Sequence, residues 1–235
     1  DWRDSAVERH QIARTRRVAR DFDAIIESVL ASRRGDPSSQ PGDVTSQLMR
    51  AQVGDRPLSE AEIVSVLRNW TGGDLGSIAL CVGVLVHFLA SHTDVQDRLR
   101  AGVSDQELDV IIDEVLRIDD PFVTNRRITT CPAQVGSVPL AEGARIKLNW
   151  TSANRDESVF GDPDVFDPAR NAKDNLVYGI GKHVCPGRLL ATVELRTMTR
   201  ALLAATESLI LDPARPAQRE VAPVGGWRRV PVILS

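Results

Sequence analysis

The chain has 235 residues, enough for one large domain or two small ones. Its 42% hydrophobic and 26% charged residues are the mix of a soluble globular protein. A net charge of −3, with no long basic run, argues against nucleic acid as a partner.

The longest apolar stretch, Ile78 to Ala90, is interrupted by His87 and falls short of a membrane span, so no membrane partner is expected. Asp1 to Arg20 is charged throughout, unlike a signal peptide. Cys81, Cys131 and Cys185 form no CxxC pair and are odd in number. A disulfide framework or a Cys-rich zinc site is therefore disfavoured, and a reducing, cytoplasmic location fits best. His10, His87, His92 and His183 show no HExxH spacing, which argues against a His-based metal site.

In chain order, residues 4–33 predict one amphipathic, Arg-rich helix whose charges form a solvated face. Residues 35–44 read as a loop by composition. A short helix is expected at 45–53. Ser59 with Glu62 makes a capping box that opens a long helix over about 59–91. Two shorter helices follow, at Thr93–Ala101 and Asp105–Ile118, the second stopped before Pro121. From Phe122 to Trp150, β-branched residues alternating with turn signals predict strands and hairpins. Residues 151–177 are dense in Asn, Asp and Pro without a period, an irregular segment of the kind that braces a site. A Cys-bearing loop spans 178–187 and a helix about 188–206. Val221 to Leu234 predicts a last strand pair around Gly225 and Gly226. The fold class expected is mainly α with a small β portion, arranged as a single domain over 1–235.

The most informative stretch is Tyr178-Gly-Ile-Gly-Lys-His-Val-Cys-Pro-Gly-Arg-Leu-Leu-Ala191. A cysteine just ahead of a helix N-terminus meets unpaired N–H groups and the positive end of the helix dipole, which favour a thiolate. Gly179 and Gly181 permit a tight turn and close approach by a flat ligand, and Gly187 lets the helix start close to it. Taken alone, Cys185 reads first as a buried structural cysteine, the usual fate of a lone cysteine.

This stretch resembles the haem-binding loop of the cytochrome P450 family, aromatic-Gly-x-Gly-x-[His/Arg]-x-Cys-x-Gly. Tyr178, Gly179, Gly181, His183, Cys185 and Gly187 meet every fixed position, with Tyr178 where Phe is commoner. Glu114-Val-Leu-Arg117 is similar to the family's ExxR pair, and Phe166-Asp-Pro-Ala-Arg170 resembles its second-Arg motif. Asn154-Arg155-Asp156, Phe160 and Pro163 match the run between them. The resemblance implies a P450-like fold, truncated at the N-terminus relative to the family. It also implies that Cys185 is the axial ligand of haem b, that Glu114, Arg117 and Arg170 form a buried triad fixing the Cys loop, and that Arg127 (with Arg126 as competitor) and His183 hold the haem propionates.

The long helix matches the family's distal helix, whose usual motif is [Ala/Gly]-Gly-x-[Asp/Glu]-Thr. Here it reads Thr71-Gly72-Gly73-Asp74-Leu75. The acid is present, but leucine replaces the threonine and offers no hydrogen bond. Asp74 and Ser77 are therefore the candidate proton-handling residues, with Thr71 a second source of a hydroxyl. Gly72, Gly73 and Gly76 weaken the helix, which is explained by a ligand pressing on the backbone or by close helix packing. Trp70, Cys81 and His87 read as packing residues.

The function implied is a haem-dependent monooxygenase acting on a small organic substrate. Its electrons would come from NAD(P)H through a ferredoxin or flavin-type partner, and the cationic surface around Lys182 and Arg188 suits an acidic carrier. Two alternatives stand beside it: a catalytically incomplete fragment that binds haem weakly or not at all and self-associates through exposed apolar surface, and a peroxide-driven enzyme.

Overall fold

The structure is a computed structural model. It describes residues 6–34, 41–221 and 224–235, with side chains from residue 13 onward. Two compact units result, Asp1–Leu75 and Gly76–Ser235, and the long helix crosses from one to the other.

In the first unit, α1 (Ala6–Ala31) and α2 (Val44–Arg50) precede α3 (Glu60–Ser91). Arg14, Arg16, Arg17 and Arg20 are exposed, the solvated face their pattern predicts. Ile26, Leu30 and Ile63 form a small core with Leu48, Leu58 and Leu67 packed on it. Arg68 holds Asp23 through two contacts of 2.8 and 2.9 Å. The capping box forms as expected: the Ser59 amide donates to Glu62 Oε2 at 2.8 Å, and the Glu62 amide donates back to Ser59 Oγ at 3.3 Å. The helix expected at 45–53 stops at Arg50. The chain then turns through a hairpin of β1 (Gln52–Val53) and β2 (Arg56–Pro57), because Gly54 adopts φ +60°. Most of the predicted 35–44 loop, residues 35–40, lies outside the described residues.

In the second unit, α4 (Thr93–Ala101) and α5 (Asp105–Ile118) form at the expected boundaries. Leu108, Ile111, Ile112, Val115 and Leu116 recur at helical spacing on α5 and are at most 2% exposed. They pack with Val84, Leu85 and Leu89 of α3 and with Leu195 and Leu203 of α9 (Arg188–Ala204). Cys81 lies in this core, where burial pushes its thiol up to about 12, and His87 stacks on Trp227 at 3.7 Å. Both are packing residues, as expected. Trp70, also expected to pack, is 45% exposed.

The predicted strand region resolves into β3 (Thr124–Ile128) paired with β6 (Arg145–Asn149), and β4 (Ala133–Val135) paired with β5 (Val138–Leu140). Three single-turn helices, α6 (Trp150–Ala153), α7 (Glu157–Phe160) and α8 (Pro168–Asn171), punctuate the irregular segment. Each is capped by the Asn or Asp before it, which is why that composition gives turns rather than long elements.

The tail departs from expectation. It does not pair with itself: β9 (Trp227–Arg229) pairs with β8 (Gln218–Arg219), and β10 (Val232–Leu234) with β7 (Leu209–Leu211). Gly225 and Gly226 pack instead against Asp120 and Pro121, and the Gly225 amide donates to the Pro121 carbonyl at 3.0 Å. The β10–β7 pairing is non-local and leaves no local turn signal, whereas β8 and β9 pair locally across the connection that holds Gly225 and Gly226.

By length and composition, α3 could cross a membrane: an 18-residue window averages a hydropathy of 1.8, with 33% of it buried. The core helix of a soluble protein passes the same test.

Asp120 is 6% exposed and accepts from the Phe122 amide at 2.7 Å. Burial raises its carboxyl from 3.8 to about 6 against the pull of that hydrogen bond. The folded state thus favours the protonated form. Its contribution to stability is present below about pH 4 and is lost as pH rises through about 6. Asp120→Asn keeps the acceptor and removes the charge. Urea midpoints from pH 4 to 7 should show the variant gaining on the parent by at most about 3 kcal/mol across that window. Parallel profiles would refute the assignment.

Candidate functional site

Helix α5 anchors the site. Glu114 and Arg117, one turn apart, are 1% and 0% exposed. Arg117 Nε and Nη2 donate to Glu114 Oε2 and Oε1 at 2.7 and 2.9 Å, a two-point fork. Its remaining donors reach the carbonyls of Asn154 at 2.8 Å and Pro163 at 3.0 Å. Glu114 Oε1 also accepts from the Asp167 amide at 3.0 Å and from Asn171 Nδ2 at 2.8 Å. A buried ion pair persists only when its remaining polar groups are also satisfied, and here the irregular segment satisfies them.

Arg170 does not join this pair. Its Nη2 donates to the Phe160 carbonyl at 2.7 Å, and its side chain is half exposed. Asn171 takes the expected place instead. One buried cation already balances Glu114, and a neutral amide donor adds a hydrogen bond without a second buried charge.

Two more asparagines carry the chain to the cysteine. Asn154, fully buried, gives its carbonyl to Arg117 and accepts the Leu176 amide on Oδ1 at 2.8 Å. Asn175 accepts the Val177 amide at 2.9 Å and donates to the Asp113 carbonyl at 2.8 Å. Their density in the sequence was the available signal, but their partners lie tens of residues away.

The loop itself turns as its glycines allow: Gly179 and Gly181 sit at φ +72° and +70°. The Cys185 amide donates to the Tyr178 carbonyl at 2.8 Å, closing the loop around a short 3-10 turn at Gly181–His183. Gly187 is the N-cap of α9 and supplies no side-chain acceptor, so its first-turn N–H groups lack a cap beside the cysteine. A Cβ on Gly187 would stand 3.8 Å from Cys185 Sγ. Cys185 is half-buried, whereas Ile180, Leu189 and Val184 around it are 69%, 84% and 45% exposed.

Arg188 lies 3.5 Å from Asp113 and over the Tyr178 ring at 5.1 Å, so its charge is shared with Asp113 rather than wholly presented at the surface. Burial raises the Asp113 carboxyl to about 6, and Arg188 pulls it back down. His183 and Lys182 are exposed. Arg127 is half-buried on β3 and donates to the Arg126 carbonyl at 2.8 Å, while Arg126 is exposed on the opposite face of the strand.

Gly72, Gly73 and Asp74 lie in the first unit, and Ser77 lies just inside the second. Among the described residues, no heavy atom beyond the helix's own neighbouring backbone stands within 4 Å of a Cβ built on Gly72, Gly73 or Gly76. Leu75 is 64% exposed.

A mainly helical chain with small antiparallel sheets and a glycine-turned cysteine loop ahead of a long helix defines the P450 class of fold. The cytochrome P450 family model matches residues 7–216, and the chain belongs to that family. It is 35% identical over 211 residues to a steroid C26-monooxygenase of Mycolicibacterium smegmatis, covering 89% of this chain and 51% of that protein. It is 34% identical over 180 residues to the cyclomarin C epoxidase CymV of Salinispora arenicola, covering 77% and 45%. The solved open form of cytochrome P450 EryK from S. erythraea superimposes with a TM-score of 0.87 at 27% identity, covering 98% of this chain and 58% of that one. The chain thus spans about half the length of the curated relatives it matches.

Proposed function

We propose that this chain carries the haem-binding portion of a monooxygenase, in which the Cys185 thiolate would hold the iron of haem b. The carrying observation is the Cys185 loop: a half-buried sulfur on a turn that two left-handed glycines allow, beside an uncapped helix start. The residues present fit haem. Ile180, Val184 and Leu189 offer an apolar surround that a flat macrocycle would cover, and Gly187 leaves room beside the sulfur.

In this reading, Cys185 would hold the iron while Tyr178, Gly179 and Gly187 would shape the loop around the cofactor. Arg127 and His183 would meet the propionates, and the family resemblance assigns Gly72 and Gly73 to the distal-helix motif. Asp74 and Ser77 handle protons, because Leu75 has no group to hold one. When bound, haem supplies O2 activation and transfer of one oxygen atom to a small organic substrate, using NAD(P)H electrons from a ferredoxin or flavin-type donor. The relatives named as a steroid monooxygenase and an epoxidase support that reaction class. The reading carries with it a single domain over 1–235 and a cytoplasmic location.

The test is the spectrum of the reduced protein under carbon monoxide after haem addition. The parent should give the red-shifted Soret band of a thiolate-ligated haem, and Cys185→Ala should lose it entirely. Absence of haem uptake by the parent, or an unchanged band in the variant, would overturn the ligand. Turnover with peroxide but not with a reductase would move the electron source from a carrier protein to the oxidant itself.

A further inference from the structure

Helices α5 and α9 are joined by a ladder of ion pairs that the family motifs do not include. Asp105, Asp109 and Asp113 follow one another at four-residue spacing along one face of α5. Arg200, Arg196 and Arg188 descend α9 in the opposite direction. Arg200 meets Asp105 at 2.7 Å, Arg196 meets Asp109 at 2.8 Å, and Arg188 meets Asp113 at 3.5 Å. Arg196 also reaches Asp105 at 3.5 Å, so the first two rungs share their charges and the Arg188–Asp113 rung stands apart.

The last rung differs from the others. Asp113 receives Arg188 on its carboxylate and Asn175 Nδ2 on its main-chain carbonyl. Asn175 lies three residues before Tyr178, and Arg188 three after Cys185. One residue of α5 therefore fastens the chain on both sides of the cysteine loop. Asp113 also directly precedes Glu114, which holds the 154–171 segment from the same helix.

We propose that Asp113 and Arg188 are a positioning pair that fixes where Cys185 stands: their ion pair locks the far end of its loop to α5, while the Asp113 main-chain carbonyl holds the near end through Asn175. Neither touches the sulfur, and both act through the loop. The proposal rests on Cys185 being the iron ligand only for its second readout below.

The test uses the full chain with Asp113→Asn, Arg188→Gln, the double variant and the charge-retaining Arg188→Lys. First, without haem, site-resolved alkylation follows Cys185 against exposed Cys131 as an internal reference. Each neutralising variant should raise Cys185 reactivity about five-fold, the scale of a partly exposed ion pair. The double variant should do no more than the stronger single one, since the two act as one unit. Arg188→Lys should stay near the parent. Second, with haem and carbon monoxide, the neutralising variants should move part of the red-shifted Soret band to the position of a thiol-ligated haem. Arg98→Gln, which breaks an ion pair remote from the loop, should move nothing.

Parent-like alkylation in both single variants, or additive effects in the double variant, would overturn the positioning role. A parent that takes up no haem would overturn the ligand assignment and leave the alkylation comparison standing.

Discussion

Replacing Arg117 by leucine is expected to destabilise the second unit by about 3–5 kcal/mol, the cost of leaving one member of a buried ion pair alone. Leucine removes both donors to Glu114 and leaves its carboxylate, 1% exposed, with only the Asp167 amide and the Asn171 side chain. The carbonyls of Asn154 and Pro163 lose their donor as well. A domain whose whole stability is about 5–15 kcal/mol has little left after such a loss. Urea unfolding should show the fall as a lower midpoint at unchanged slope. Glu114→Leu/Arg117→Leu should cost less than the sum of the two single changes, because it leaves no orphaned charge. A single Arg117→Leu change within about 0.5 kcal/mol of the parent would mean that the segment 154–171 is held by something other than this pair.

Gly225→Ala is the second large effect. A Cβ at this position would overlap the carbonyl oxygen of Asp120 and stand 3.0 Å from Val123 Cγ2. The obstacle is main chain, so no rotamer change relieves it. Separating the two segments would also break the bond from the Gly225 amide to the Pro121 carbonyl. The expected cost is about 3 kcal/mol, at the upper end for overpacking at a closed contact. Hydrogen exchange should locate the loss: amides of Trp227–Arg229 should open first, while those of α5 keep their protection. Uniform loss across the unit would show that the tail and α5 unfold together.

Much of the site was legible in the sequence because its chemistry is local. Gly179, Gly181, Cys185 and Gly187 fall within nine residues, and their spacing alone dictates a turn, a sulfur and a helix start. Glu114 and Arg117 are one helical turn apart, so their fork follows from geometry that any helix imposes. The boundaries of α4, α5 and α9 were readable for the same reason: apolar spacing, and for α5 the Ser104 cap, are properties of consecutive residues.

The parts decided by tertiary structure all depend on partners far along the chain. Nothing beside Arg170 or Asn171 distinguishes which would reach Glu114, fifty-seven positions from Asn171. Burial settled it, by accepting one balanced charge pair and a neutral donor but not a second cation. The tail could not announce that β10 would pair with β7, because pairing across such a separation is fixed by packing and not by a turn. Likewise, the sequence held the acids of α5 and the arginines of α9 in plain view. Only the antiparallel docking of the two helices turned them into a ladder, since ion pairs between helices require a register that neither helix contains by itself.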